Sequence, residues 1–205
     1  METVKTRVLE CGVAVTPIPG EPEPGDRHLV KSWPDGVLVA VVDGLGHGPG
    51  AAEAAKIAMR TIEEHASEPV ISLVKWCHAS LLGTRGVVMS LASFNAVRGT
   101  LTWIGIGNVE GLVVRSDGAT VPQRETLLLR GGVVGSRLPG LRASVLPLIP
   151  GDTLIFATDG IANDFARGIN LDAPPGEVAT RIMEQYSKST DDALVLVARY
   201  LGYSP

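Results

Sequence analysis

The run Gly36-Val-Leu-Val-Ala-Val-Val-Asp-Gly-Leu-Gly-His-Gly-Pro-Gly50 joins an unbroken aliphatic segment, Val37 to Val42, to an aspartate and a glycine-rich turn. A short apolar run bounded by turn residues predicts a buried strand. Beyond the turn, Ala51, Ala54, Ala55, Ala58 and Ile62 recur on one face of a helix over Ala51–His65, while Glu53, Lys56, Arg60 and Glu63 fall elsewhere. The local plan is strand, acidic turn, helix, and Asp43 stands where the strand stops.

Similar runs rich in Val, Ile, Leu and Thr predict strands over Val4–Val15, Val87–Asn95, Thr100–Gly105, Gly111–Arg115, Leu127–Leu129, Arg142–Leu148, Thr153–Thr158 and Ala193–Tyr200. Short turns at Asn95–Thr100 and Ser116–Gly118 imply antiparallel pairing rather than repeated crossovers. Helical spacing returns over Val70–Leu82 and over Pro175–Lys188, where Pro175 suits a first turn. Thr16–Gly25 holds four prolines and reads as an extended surface loop. Many antiparallel strands with three amphipathic helices make an α+β fold, most simply two sheets face to face with helices outside.

Size and charge narrow the function. A chain of 205 residues suits one domain. Its 18 basic and 22 acidic residues give a formal charge of −4, which excludes a general nucleic-acid binder. Hydrophobic residues at 45% and charged residues at 20% support a packed core. Residues Met1–Arg7 carry no signal-peptide apolar region, and no run nears the roughly 18–20 residues of a membrane span, so a cytoplasmic protein is expected. Cys11 and Cys77 form no metal or disulfide pattern and read as buried free thiols.

The chemistry lies in the acids. Asp43 and Asp159 each end a strand and precede glycine, Asp191 and Asp192 precede one, and Asp26 closes the proline loop. Any one Asp-Gly reads as a turn. Together they point to a cation site, because two like charges 4 Å apart repel by about 4 kcal/mol at an effective dielectric near 20. Two divalent ions balance four carboxylates, and an all-oxygen donor set favours Mg²⁺ or Mn²⁺ over Zn²⁺. His28, His65 and His78 show no ligand spacing.

Three segments, Val41-Val-Asp-Gly-Leu-Gly-His-Gly48, Gly151-Asp-Thr-Leu-Ile-Phe-Ala-Thr-Asp-Gly160 and Asp191-Asp-Ala-Leu-Val-Leu-Val197, occur in the order found in the metal-dependent protein phosphatase 2C (PPM) superfamily. The chain resembles that superfamily over nearly its whole length, and most of all its bacterial sporulation and stress-response branch. The resemblance implies a four-layer α/β/β/α sandwich of two mainly antiparallel sheets, and two Mn²⁺ or Mg²⁺ ions at one end. It implies that Asp43 bridges both ions, that the Gly44 carbonyl binds one, and that Asp159 and Asp191 hold the second. Asp26 resembles the acid of the first motif, and Asp192 stands where many members have asparagine. Leu45 replaces a histidine that is a candidate general acid in eukaryotic members. His47, two residues on, is left as an acid or as helix N-terminal structure, and Arg27 as a phosphate contact or a solvated loop residue.

By the same resemblance, a metal-activated water attacks the phosphorus of phosphoserine or phosphothreonine with no protein nucleophile. The bare catalytic domain over 1–205 is most similar to stressosome feedback phosphatases, whose partners are phosphorylated STAS-domain stressosome proteins. The alternatives are a phosphatase of an anti-sigma-factor antagonist and a pseudophosphatase binding module. Gly44–Gly50 reads as an anion-favouring helix entry or as a plain connection. Asn108 reads as a structural turn residue. Leu129–Gly140, with two arginines, reads as an exposed loop or as a dock for an acidic or phosphorylated partner.

Overall fold

A computed structural model describes residues 2–21 and 23–202. Its strands are β1 (Glu2–Lys5), β2 (Leu9–Thr16), β3 (Asp26–Trp33), β4 (Gly36–Gly44), β5 (Val87–Asn95), β6 (Thr100–Ile106), β7 (Glu110–Val114), β8 (Arg124–Thr126), β9 (Leu129–Arg130), β10 (Ser144–Pro147), β11 (Thr153–Ala157) and β12 (Ala193–Tyr200). Its helices are α1 (Pro49–Glu64), α2 (Val70–Ser80) and α3 (Pro175–Tyr186), with a short 3-10 turn at Asn163–Ala166. One sheet runs β1-β2-β12-β11-β7-β8, and the other runs β10-β6-β5-β4-β3, with β9 beside β6. All pairs are antiparallel except β6 with β9.

The unbroken run at Val37–Val42 follows from β4 being covered on both faces. Val37, Val39 and Val41 enter the core between the sheets with Phe94, Trp103, Phe156 and Leu196. Leu38, Ala40 and Val42 face α1 and α2, against Ala54, Ala58, Leu73 and Cys77. Strand alternation sends successive side chains to opposite sides, so a doubly covered strand must be apolar throughout. β12 repeats this, with Leu194, Leu196 and Ala198 between the sheets and Ala193, Val195 and Val197 against α3. Each fully buried Val or Leu contributes about 1.5–3 kcal/mol. The layers are thus α1 and α2, sheet, sheet, α3, as the resemblance implies.

Several boundaries differ from the sequence expectation. Val4–Val15 is two strands, because the Thr6 hydroxyl accepts from the Val8 and Leu9 amides at 3.2 and 2.8 Å and turns the chain. β3 was not expected at all: Asp-Arg-His-Leu-Val-Lys-Ser-Trp is an edge strand pairing only with β4, and its mixed polarity hides the strand period. Of Leu127–Leu129, the first two residues connect β8 to β9 and only Leu129 is in a strand, as the start of β9. Both cysteines are free and buried, and burial pushes each thiol up to about 12, so both are inert. Among the described residues no helix is long and apolar enough to cross a membrane.

Candidate metal centre

Strand direction brings the acids together. β4 ends at Asp43-Gly44, and β3 starts beside it with Asp26 directly opposite Asp43 in register. β11 and β12 are antiparallel neighbours, so Asp159, just past the end of β11, and Asp191, just before the start of β12, reach one end of their sheet. Glu110 of β7 pairs with Ala157, which carries the β6–β7 turn and Asn108 to the same end. Asp43, Asp159, Asp191, Asn108, Leu45 and His47 are among the residues around a cavity of about 200 Å³.

The two Asp-Gly pairs serve packing rather than turn conformation, since neither Gly44 nor Gly160 has positive φ. A Cβ at Gly44 would lie 2.2 Å from the Ala51 carbonyl oxygen, and one at Gly160 would lie 1.9 Å from that of Asp192. Only glycine lets α1 start against β4 and lets the start of β12 close on the end of β11. Each contact fixes the backbone beside a site carboxylate.

The hydrogen bonds separate the five acids. Asp26 accepts from the Thr158 hydroxyl at 2.7 Å, Asp159 from the Asn108 amide at 2.6 Å, and Asp191 from the Asp192 backbone N–H at 2.9 Å. Each of these contacts uses one carboxylate oxygen, and among the described residues no protein donor reaches the other. No donor among the described residues reaches the Asp43 carboxylate, so both its oxygens are unengaged. Asp192 is the opposite case, accepting from Ile18 N at 2.7 Å on one oxygen and from Gly25 N at 2.6 Å on the other. It straps both ends of the proline loop to β12, and each oxygen of its buried carboxylate is already held by a backbone N–H.

Charge accumulates at this end of the sheets, offset in part by Lys188, whose ammonium donates to the Asp159 backbone carbonyl at 2.7 Å. Burial, then the fields of Asp26, Asp159, Asp191 and Asp192, push the Asp43 carboxyl far above its ordinary range. Burial likewise raises Asp26, with Asp192, Asp159 and Asp191 adding to it and the Thr158 hydrogen bond opposing it. Asp159 is raised by burial and by Asp191, and Lys188 opposes the shift. Among the described residues no Lys or Arg forms an ion pair with any of the four site carboxylates. Carboxylates that face one another unpaired become favourable when a cation enters.

The donor set fits a hard divalent ion. No three carboxylate, imidazole or thiol ligands among the described residues enclose one ion by themselves, which disfavours a closed Zn²⁺ site. Mg²⁺ keeps several waters and takes one or two carboxylates, and that needs no such enclosure. Free oxygens on Asp26, Asp159 and Asp191 and two on Asp43 are the supply such an ion uses.

The remaining candidates divide. His47 is on the cavity wall, with Nδ1 3.3 Å from Glu21 Oε1. Arg27 is not there. It lines a different groove of about 610 Å³ along α1, which Asp26 also borders, and there it meets Glu23 at 3.4 Å beside Lys56 and Arg60. Asn108 was read as structural; the structure puts its amide on a site carboxylate. Its turn position was visible, but the partner 51 residues away was not. Of the three histidines set aside, His28 meets Glu2 at 3.2 Å, His65 packs on Trp76, and His78 accepts from Gly135 N at 3.0 Å.

Comparison with known proteins places this geometry. A curated relative, the phosphoserine phosphatase RsbX of Bacillus subtilis (strain 168), is 24% identical over 178 residues, covering 87% of each chain. A solved structure from work on the bacterial stressosome as a modular system adapted to control secondary messenger signaling is 31% identical, with a TM-score of 0.85. It covers 93% of this chain and 99% of its own. A crystal structure of RsbX in complex with magnesium superposes with a TM-score of 0.86 at 22% identity, covering 97% and 98%. Residues 34–201 match the family described as Stage II sporulation protein E (SpoIIE), a span that runs from β4 to the end of β12 and holds Asp43, Asp159 and Asp191. The chain therefore belongs to the SpoIIE family of protein phosphatase 2C-like domains.

Proposed function

We propose that this chain is a divalent-metal-dependent protein phosphatase that hydrolyses phosphoserine or phosphothreonine on STAS-domain stressosome proteins, as a feedback enzyme working in the cytoplasm. The observation that carries the catalytic part is the oxygen inventory: Asp43, Asp159 and Asp191 line one cavity, Asp26 stands opposite Asp43 in register, and these four carboxylates, none in an ion pair with Lys or Arg among the described residues, hold unengaged oxygens in a pattern that suits two ions. Asp43, with both oxygens open, would be shared by the two ions, and the Gly44 carbonyl, Asp159, Asp191 and Asp26 would supply the other protein ligands. The partner class is supported by the likeness to the phosphoserine phosphatase RsbX and to a structure from work on the stressosome.

When bound, a pair of Mg²⁺ or Mn²⁺ ions supplies a hydroxide at neutral pH and screens the charge of the phosphoryl group. The chain's residues prepare that chemistry. Asn108 holds one oxygen of Asp159, which lines the cavity, and Thr158 holds one oxygen of Asp26, the register partner of Asp43. Leu45 and Val88 close the apolar side of the cavity and limit bulk water. His47, steadied by Glu21, is the side chain placed to protonate the leaving serine or threonine oxygen.

The test is hydrolysis of p-nitrophenyl phosphate and of a phosphoserine STAS protein in Mn²⁺. EDTA abolishes both, and Asp43→Asn lowers both by about a thousandfold or more, the scale on which losing a bridging metal ligand removes transition-state charge stabilisation. A wild type that binds the phosphoprotein and never turns it over makes the chain a binding module. Turnover of p-nitrophenyl phosphate with no turnover of STAS substrates keeps the enzyme and removes the partner.

A further inference from the structure

One side of the cavity is bordered by a chain segment with a charge bias opposite to that of the whole molecule. Between Glu125 and Asp152 there is no acidic residue, and there are three arginines, Arg130, Arg137 and Arg142, in a chain of 18 basic and 22 acidic residues. Hydrogen bonds tie this segment to the cavity wall. The Arg130 carbonyl accepts from Gly107 N at 2.8 Å, next to Asn108. Val134 exchanges two 2.9 Å backbone hydrogen bonds with Val87, and Arg137 pairs with Val133 in the same way at its N–H, at 2.9 Å. Gly86 packs so tightly under Val133 and Val134 that a Cβ there would sit 2.6–2.7 Å from them, and its carbonyl accepts from Leu45 N at 3.2 Å on the cavity wall.

Arg85 joins this rim from the other side. Its guanidinium donates to the His47 carbonyl at 3.1 Å and lies over Gly46 and Gly50. Among the described residues none of Arg85, Arg130 and Arg137 is in an ion pair, whereas Arg27, Lys31, Lys56 and Arg115 each hold a carboxylate. Exposed Arg85 and Arg137 and half-buried Arg130, left unpaired near a carboxylate-lined cavity, have charge to offer an incoming anion.

We propose that the rim formed by Arg85, Arg130 and Arg137 docks acidic residues flanking the phosphorylated serine or threonine of a protein substrate. This rests on the phosphatase reading above and adds the charge of the substrate surface. The rim selects by complementarity: acidic flanks are steered toward the cavity, and basic flanks are repelled. Because the pairs are exposed, the selection is strong at low salt and fades as salt rises.

Two phosphoserine peptides of equal length test it, one with three Glu within four residues of the phosphoserine and one with Gln in their place. Wild type has a kcat/KM on the acidic peptide about tenfold above that on the neutral one at roughly 50 mM salt, and about twofold at roughly 500 mM. Arg130→Glu with Arg137→Glu brings the low-salt ratio to one or below. Arg137→Glu alone, at an exposed position, cuts it about threefold and serves if the double variant does not fold. Equal turnover of the two peptides by wild type overturns the inference, and so does an unchanged ratio in the folded variants. If neither peptide is hydrolysed while p-nitrophenyl phosphate is, the phosphoprotein reading itself fails.

Discussion

β11 carries an acidic residue beyond each end, and the two ends are built in opposite ways. Before it, Asp152 is buried, with Oδ2 3.0 Å from Arg115 Nη1 and further hydrogen bonds from Ser116 N at 2.9 Å and Ile149 N at 3.1 Å. Arg115 also meets Glu125, and its side chain is 4% exposed. After β11, Asp159 shares a cavity with Asp43 and Asp191, and among the described residues none of these three carboxylates is in an ion pair with Lys or Arg, Lys188 donating instead to the Asp159 backbone carbonyl at 2.7 Å. The same residue type at the ends of one strand is closed by a resident guanidinium in one case and left for an outside cation in the other. Acidic clustering alone does not mark a functional site; the missing counter-ion does.

The contrast is sharpest in Arg115→Met. Removing one partner of a buried ion pair strands Asp152, and we expect a loss of about 3–5 kcal/mol in denaturant unfolding. In the folded fraction Mn²⁺ affinity stays near wild type. A variant as stable as wild type would make the Arg115 end no better satisfied than the other.

Next comes the pair Asp191 and Asp192, adjacent in sequence and opposite in use. Asp192→Ala frees the Ile18 and Gly25 amides and costs about 2–4 kcal/mol for two charge-assisted hydrogen bonds, with Mn²⁺ affinity changed less than about tenfold. Asp191→Ala gives the reverse: little change in metal-free melting and loss of the melting shift that Mn²⁺ produces. Swapped results would exchange the roles assigned here.

Asn108→Ala is expected to weaken Mn²⁺ binding by about 10–100-fold, measured by calorimetry, because an outer-shell donor orients its ligand. Asn108→Gln, which keeps the amide, recovers part of it. Equal affinity in all three proteins would make the 2.6 Å contact incidental.

The smallest effect is on pH dependence. Asp43, Asp26 and Asp159 have folded-state pKa values above the ordinary carboxylate range, so without metal the folded state binds more protons than the unfolded one. Metal-free stability therefore falls as pH rises from the ordinary carboxylate value through the raised ones. A melting temperature that drops between about pH 5 and about pH 8 in EDTA, and a flatter profile in Mn²⁺, are expected. Asp43→Asn flattens the metal-free profile.

How much of this was legible follows from where each signal lies. β4 and β12 are covered on both faces, so their apolar runs announced them, and each ran directly into or out of a site acid. β3 was missed because one exposed edge strand mixes Arg, His, Lys and Ser into its period, and with it went the pairing of Asp26 opposite Asp43. For Arg27 the sequence leaves a phosphate contact and a solvated loop residue both open; the fold puts it on β3 in the groove along α1, outside the cavity lined by Asp43, Asp159 and Asp191. The glycines after Asp43 and Asp159 were visible as motif letters, but their cause, a helix start and a neighbouring strand within van der Waals reach, was not.

Local chain chemistry was enough for the layers and the acids: buried strands need apolar runs, amphipathic helices need a stripe, and three ordered acidic motifs identify the superfamily. The division of labour among those acids came only with the fold. A carboxylate's role depends on which of its oxygens a protein donor occupies, and those donors, Thr158, Asn108, Ile18 and Gly25, lie 132, 51, 174 and 167 residues from the acids they serve. Hydrogen bonds and charge fields act across space over a few ångströms, and folding alone sets which distant residues fall within that range.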